Sequence, residues 1–124
     1  MRDFIQNMID AGLAETISHP VSSNLEAAQL AFNTDKMLVF ENLEGHKAVM
    51  NTVVDRKSLA VALGIPEGDL VKRLAACNFS GTVTDGGTLK FEAANLSKLP
   101  ILKHFPKDAG RYLTTGSVFS AFEG

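Results

Sequence analysis

Apolar and polar positions alternate along this chain with two different periods, and the changes of period mark its elements. Over residues 1–11, Phe4, Ile5, Met8 and Ile9 fall on one face of a 3.6-residue repeat, with Arg2, Asp3, Gln6 and Asn7 outside it. That spacing predicts a helix from Met1 to Ala11, closed by Gly12. "LAETIS" then alternates with period two and predicts a short strand whose Leu13 and Ile17 face inward. After a bend at Pro20, Ser23 and Glu26 stand at capping-box spacing ahead of a helix whose stripe is Leu25, Ala28 and Phe32, with Leu30 and Ala31 beside it. "KMLVFENLEGHKAVMNTVV" reads as a hairpin. Met37 to Phe40 runs out, Glu44-Gly45 turns, and Ala48 to Val54 returns.

Asp55 is placed to cap "RKSLAVALG", with Leu59, Ala62 and Leu63 as the inward stripe and Gly64 as the stop. Pro66 suits a first helical turn, and "EGDLVKRLAAC" predicts another short helix with Leu70, Val71 and Leu74 inward. A second hairpin is predicted from Phe79 to Glu92, turning at Asp85 to Gly87. Asn95 to Leu99 follows as a helical turn with Leu96 and Leu99 buried. Pro100 forces Leu99 toward extended geometry. Pro106 and Asp108-Ala109-Gly110 make a second bend, in which Asp108 accepts backbone N–H bonds and Gly110 takes a conformation that other residues resist. Tyr112 to Ser120 is strand-like, and a strand without a mate would be an aggregation hazard. It implies pairing with another chain or with further sequence. Interleaved helices and hairpins predict an α+β (mixed α/β) fold, a small mixed sheet with packed helices, in preference to a doubly wound parallel sheet.

Composition adds exclusions. The chain has 124 residues, 45% hydrophobic and 21% charged, with a formal net charge of −2 and dispersed cations. That length suffices for one core without disulfides, and the charge pattern lacks the basic face that nucleic acid requires. Cys77 is the single cysteine, so a disulfide framework is excluded and a cytoplasmic location is expected. The first residues lack a basic then apolar leader pattern, and no apolar run reaches the roughly 20 residues of a membrane span.

Candidate chemistry is sparse. His19, His46 and His104 show no metal-ligand spacing and read as turn or surface residues. Cys77 reads as a small buried hydrophobe, and Gly86 to Thr88 as a turn, lacking phosphate-loop spacing. Glu41 and Glu44 do not suggest an acid–base pair.

The segments "MRDFIQ", "PVSSNLEAAQLA", "LVFENLEGHK", "RKSLAVALGI" and "NLSKLPILKHFPKDAGRYLTTGSV" together resemble the N-terminal region of the UbiD-type decarboxylases, in family order along essentially the whole chain. Departures are a short approach to "MLVFEN" and "MNTVVDRKSLA" in place of a glycine-containing stretch. The resemblance implies that residues 1–107 are the N-terminal α/β domain. Residues 108–124 would be a connector and the first strand of a flavin-binding split β-barrel. Pro100, His104, Pro106, Asp108 and Gly110 would shape that connector. Thr114 and Thr115 would border the substrate pocket, where a hydroxyl could hydrogen-bond substrate; strand propensity is the simpler account of both.

For the longer parent, the resemblance implies reversible, non-oxidative decarboxylation of an aromatic or α,β-unsaturated acid with prenylated FMN, manganese and potassium. It also implies homo-oligomerisation and a UbiX-like prenyltransferase as cofactor supplier. No catalytic, cofactor or metal residue of that set is assigned here, and this chain by itself is expected to bind no cofactor. The alternative is a stand-alone non-catalytic interaction or regulatory module, or a relic of the family.

Overall fold

The computed structural model describes residues 2–77, 81, 93 and 95–113. In chain order they form α1 (Arg2–Asp10), β1 (Ala14–Ile17), α2 (Glu26–Phe32), β2 (Met37–Leu43), β3 (His46–Met50), α3 (Arg56–Leu63) and α4 (Leu70–Ala75), with 3-10 turns at Glu67–Asp69 and Leu96–Lys98. The three strands make one mixed sheet in the order β1-β2-β3. β1 runs parallel to β2, with α2 as the crossover, and β3 runs antiparallel to it. The fold is therefore the expected α+β type. The predicted hairpin over Phe79 to Glu92 lies, Gly81 apart, outside the described residues; of the strand predicted from Tyr112 to Ser120 only Tyr112 and Leu113 are described, and neither is in a strand.

β2 holds the sheet together because it pairs on both edges and is buried on both faces. Leu38 and Phe40 point to one side, where they cluster with Val21, Ala27, Ala31 and Leu43, flanked by Ile17, Leu30, Ala48, Met50 and Leu102. Strict alternation would turn Leu43 to the opposite face. The pairing register slips between Phe40 and Leu43, from Phe40↔Ala48 to Leu43↔His46. That irregularity brings Leu43 back to the side of Phe40. Met37, on the other face by alternation, is fully buried, as is Met8 of α1. α1 in turn packs on α3 and β1.

The hairpin turn is as read from the sequence: Glu44 and Gly45 both have positive φ, 50° and 86°, as a two-residue type I′ turn requires. β3 is shorter than expected. Asn51, at φ 54°, leaves the strand, and its Nδ2 donates to the carbonyls of Ala31 at 2.7 Å and Thr34 at 3.4 Å. It thereby satisfies backbone acceptors at the end of α2 that have no partner within the helix.

Asp55 caps α3 as predicted, its Oδ1 accepting from Ser58 N–H at 2.7 Å. The reciprocal half comes from Ser58, whose Oγ accepts from the N–H groups of Val54 and Asp55 and donates to the Asp55 carbonyl. Gly64 ends α3 in the left-handed conformation.

Several inward faces differ from expectation. Around α2, the buried residues are Ala27 and Ala31, while Phe32 is 86% exposed. On α3 they are Ser58 and Ala60, with Ala62 and Leu63 exposed. On α4 only Leu70 is buried; Val71 and Leu74 are exposed, as are Leu96, Leu99 and Cys77. The physical reason is close approach. α2, which packs on β2, buries its alanines there and leaves Phe32 on the far side; α3 packs on α1, with its small residues buried and Leu63 left outward.

The predicted Ser23–Glu26 capping box does not form. Leu25, not Ser23, stands at the cap position, with φ 72° and no side-chain cap bond. Ser23 bonds Glu44 instead, and Glu26 accepts from the Ser22 N–H at 2.8 Å.

Two substitutions separate buried from exposed aromatics. Phe40→Ala is expected to cost about 3–5 kcal/mol through lost burial and a residual cavity. Phe32→Ser is expected to change stability by no more than about 0.5 kcal/mol. Ser58→Ala would leave two backbone donors without an acceptor, at about 1–3 kcal/mol. Urea titration of each variant measures these differences.

Candidate functional site

The connector from Leu99 to Leu113 is built onto the domain by backbone pairing. Leu99 is extended before Pro100, as expected. Lys103 then forms a parallel bridge with Asn24: its N–H donates to the Ser23 carbonyl at 3.0 Å, and its carbonyl accepts from Leu25 N–H at 3.1 Å. On the other edge of the same strip, Val21 N–H donates to Asn42 at 2.9 Å and Glu44 N–H donates to Val21 at 3.3 Å. Residues 21–25 are thus stitched to β2 on one side and to the connector on the other.

Side chains reinforce this junction at Glu44. Its Oε1 accepts from the Ser23 N–H at 3.0 Å and the Ser23 hydroxyl at 2.7 Å. Its Oε2 faces Arg111 Nη1 at 3.5 Å, and the same nitrogen lies 3.4 Å from the Ile101 carbonyl. Ser23 is fully buried. The two Ser23 hydrogen bonds, helped by Arg111, hold the Glu44 carboxyl below the ordinary glutamate value near 4.5. From the sequence, Glu41 and Glu44 are too few and too loop-bound to suggest an acid–base pair, and the partners of Glu44 come from distant segments. The one local sign was its place in a two-residue turn where asparagine, aspartate or glycine is preferred.

Beside this junction lies an apolar groove of about 720 Å³ between α2 and the connector. Leu25, Ala28 and Phe32 form one wall, Met50 and Val54 the floor, and His104, Phe105 and Pro106 the other wall. The stripe predicted to enter the core therefore lines this groove.

Of the connector residues singled out in the sequence, His104 is half-buried in the groove wall with its ring centroid 5.1 Å from that of Tyr112. Pro106 is exposed in the turn closed by Asp108, whose Oδ2 accepts from Phe105 N–H at 2.8 Å, as expected. Partial burial, followed by the nearby Asp108 carboxylate, pushes the Tyr112 hydroxyl above its ordinary value. Gly110 departs from expectation, since its φ is not positive and a Cβ there would meet nothing within 4 Å. Pro100 is half-buried. Thr114 and Thr115 lie outside the described residues, so the structure does not place them.

Among the described residues, no three His, Cys, Asp or Glu side chains converge on a point that could hold a metal ion. The groove offers Gln29, Thr34, Asn51 and His104 as polar lining, and the Asn51 amide is already engaged with α2. A flavin phosphate needs converging N–H donors or fixed cations. The described residues fit neither a flavin phosphate nor a divalent metal. No described helix is long and apolar enough to cross a membrane.

Comparison with known proteins places this architecture. The family model for the N-terminal domain of 3-octaprenyl-4-hydroxybenzoate carboxy-lyase, UbiD, matches residues 5–77, and that for the Rift-related domain of the same carboxy-lyase matches residues 80–123. The chain belongs to the UbiD family. An anhydromevalonate phosphate decarboxylase from Methanosarcina mazei is 37% identical over 128 residues, covering 99% of this chain and 30% of the relative. A protein of the same name from Archaeoglobus fulgidus is 31% identical over 135 residues, covering 100% of this chain and 30% of the relative. The structure of the UbiD-class enzyme HmfF from Pelotomaculum thermopropionicum in complex with FMN superposes with a TM-score of 0.72 at 26% identity, over 89% of this chain and 28% of that one. This UbiD-family chain thus spans about 30% of the length of the curated relatives it matches.

The Glu44 junction has a definite pH signature. A carboxyl whose folded pKa is depressed contributes stability that is fully present above its unfolded value and is lost as pH falls through the folded value. Urea midpoints measured from pH 6 down to pH 3 are therefore expected to fall more steeply for the wild type than for Glu44→Gln. Asp55, which Ser58 also holds below its ordinary value, contributes acid sensitivity to both proteins and cancels in the difference.

Proposed function

We propose that this chain is the N-terminal part of a UbiD-type decarboxylase acting on an α,β-unsaturated carboxylic acid that carries a phosphate. The observation that carries this reading is the 37% identity to the Methanosarcina mazei anhydromevalonate phosphate decarboxylase along 99% of the chain. An anhydro derivative of a 3-hydroxy acid has lost water to form an alkene, and conjugation of that alkene with the carboxylate makes it the α,β-unsaturated member of the two acid classes expected above. The reaction is non-oxidative: the C–C bond to the carboxylate breaks, carbon dioxide leaves, and a proton takes its place on the alkene carbon.

Prenylated FMN, with manganese and potassium, would supply the electron sink for the carbon left behind. The FMN in the UbiD-class neighbour supports a flavin in the parent protein. The described residues have a geometric part. Residues 1–107 would form one wall beside the site, with the groove face apolar and poor in free polar groups. Residues 108–124 would lead into the flavin-binding domain. The bridge between Asn24 and Lys103 supports counting the connector through Lys107 with the first domain. A homo-oligomeric parent in the cytoplasm, served by a UbiX-like prenyltransferase, completes the proposal.

The test is carbon dioxide release by the full-length protein that carries this chain, loaded with prenylated FMN. Turnover of anhydromevalonate phosphate well above that of an aromatic acid is the expected result. Preference for the aromatic acid would overturn the substrate class, and no release from either would favour the non-catalytic module. In a parallel titration the 124-residue chain alone is expected to bind no FMN. Stoichiometric binding there would overturn the placement of the flavin site.

A further inference from the structure

We propose that Glu44 and Arg111 form a clasp that fixes the direction in which the connector leaves the N-terminal domain. The proposal rests on the convergence of three chain segments distant in sequence. The β2–β3 turn brings the Glu44 carboxylate, the strip at 21–25 brings both donors of Ser23, and the connector brings the Arg111 guanidinium.

The division of labour within the carboxylate is specific. Oε1 is held by Ser23 from within the buried side of the junction, so the group has a fixed orientation before Arg111 is considered. Oε2 is left facing the connector, where Arg111 can reach it and the Ile101 carbonyl with the same nitrogen. An exposed ion pair alone contributes little, because water competes and two long side chains must be ordered. Here one partner is already immobilised by two hydrogen bonds, which removes much of that entropic cost.

A second, independent observation is the backbone of Glu44. Its φ of 50° lies in the left-handed region, where a residue other than glycine, asparagine or aspartate is uncommon. A glutamate at this position gives up turn propensity, and the return is a side chain long enough to span from the turn to Ser23 and Arg111. The connector amides report on the result: Lys103 N–H bonds Ser23, and Tyr112 N–H bonds Leu102 at 3.3 Å, closing the loop that contains Arg111.

Hydrogen–deuterium exchange on the full-length protein tests the clasp without any dependence on turnover, so its failure is distinguishable from failure of the decarboxylase reading. The variants are Glu44→Gln, Arg111→Met, the pair combined, and Arg111→Lys. Glu44→Gln keeps an acceptor for Ser23 and so preserves the fold while removing the charge. Exchange at Lys103 and Tyr112 is expected to quicken about two- to five-fold in each of the first two variants, with Arg111→Met at least as large because it also loses the Ile101 contact. The combined variant should be no faster than Arg111→Met alone, since both changes open the same contact. Arg111→Lys should recover part of the protection. Unchanged connector exchange, or additive effects in the pair, would each overturn the clasp.

Discussion

A strip of five residues, from Val21 to Leu25, must satisfy hydrogen-bonding partners on two sides at once, and the rest of the described structure is arranged around that requirement. Buried backbone donors and acceptors left without partners are costly, so an interior strip needs an edge on each flank. One flank is the end of β2, through Asn42 and Glu44; the other is the connector, through Lys103. Leu25 accepts a left-handed φ of 72° as the chain turns from this strip into α2, and its N–H is bound by Lys103 as it does so. The connector is consequently part of the fold. Its prolines shape its path, while its contact with the strip sets its position.

The same requirement explains which features were legible in the sequence. The Glu44-Gly45 turn, the Asp55 cap and the Gly64 stop are decided by neighbours within a few residues, and each appears where its local signal puts it. The Asp108 turn is of the same kind. Ser23 and Glu26 carried an equally good local signal and did not combine, because a carboxylate twenty-one residues away offered Ser23 a better-placed acceptor for both its hydroxyl and its amide. Spacing rules describe what a segment can do alone. They carry no information about a competitor brought in by the sheet.

Helix faces failed for a related reason. Counting large apolar residues at helical spacing assumes that the largest ones go inward. On α2, beside β2, the buried residues are Ala27 and Ala31, and on α3, which packs on α1, they are Ser58 and Ala60; the bulkier Phe32 and Leu63 are displaced outward. The family resemblance was visible because it rests on the order of whole motifs and is indifferent to which face each motif presents. The junction at Ser23, Glu44 and Arg111 was not visible for the opposite reason: its three members lie in three different motifs, and only the fold brings them together.

The chemistry proposed for the parent protein and the physics of these residues meet at rigidity. A decarboxylation assisted by a flavin asks its surroundings to hold a small acid in one orientation, and misplacement by an ångström is costly in rate. A domain that supplies a wall can meet that demand only if its link to the rest of the chain is itself fixed. Proline bends alone would leave the angle of exit free to vary about each junction between them. Backbone pairing at Lys103, a loop closed at Tyr112 and a carboxylate oriented from within by Ser23 restrict that freedom at successive points along the connector. The hydrogen bonds gathered at Ser23, Glu44 and Arg111 thus hold a direction, beside a groove whose lining is mainly apolar.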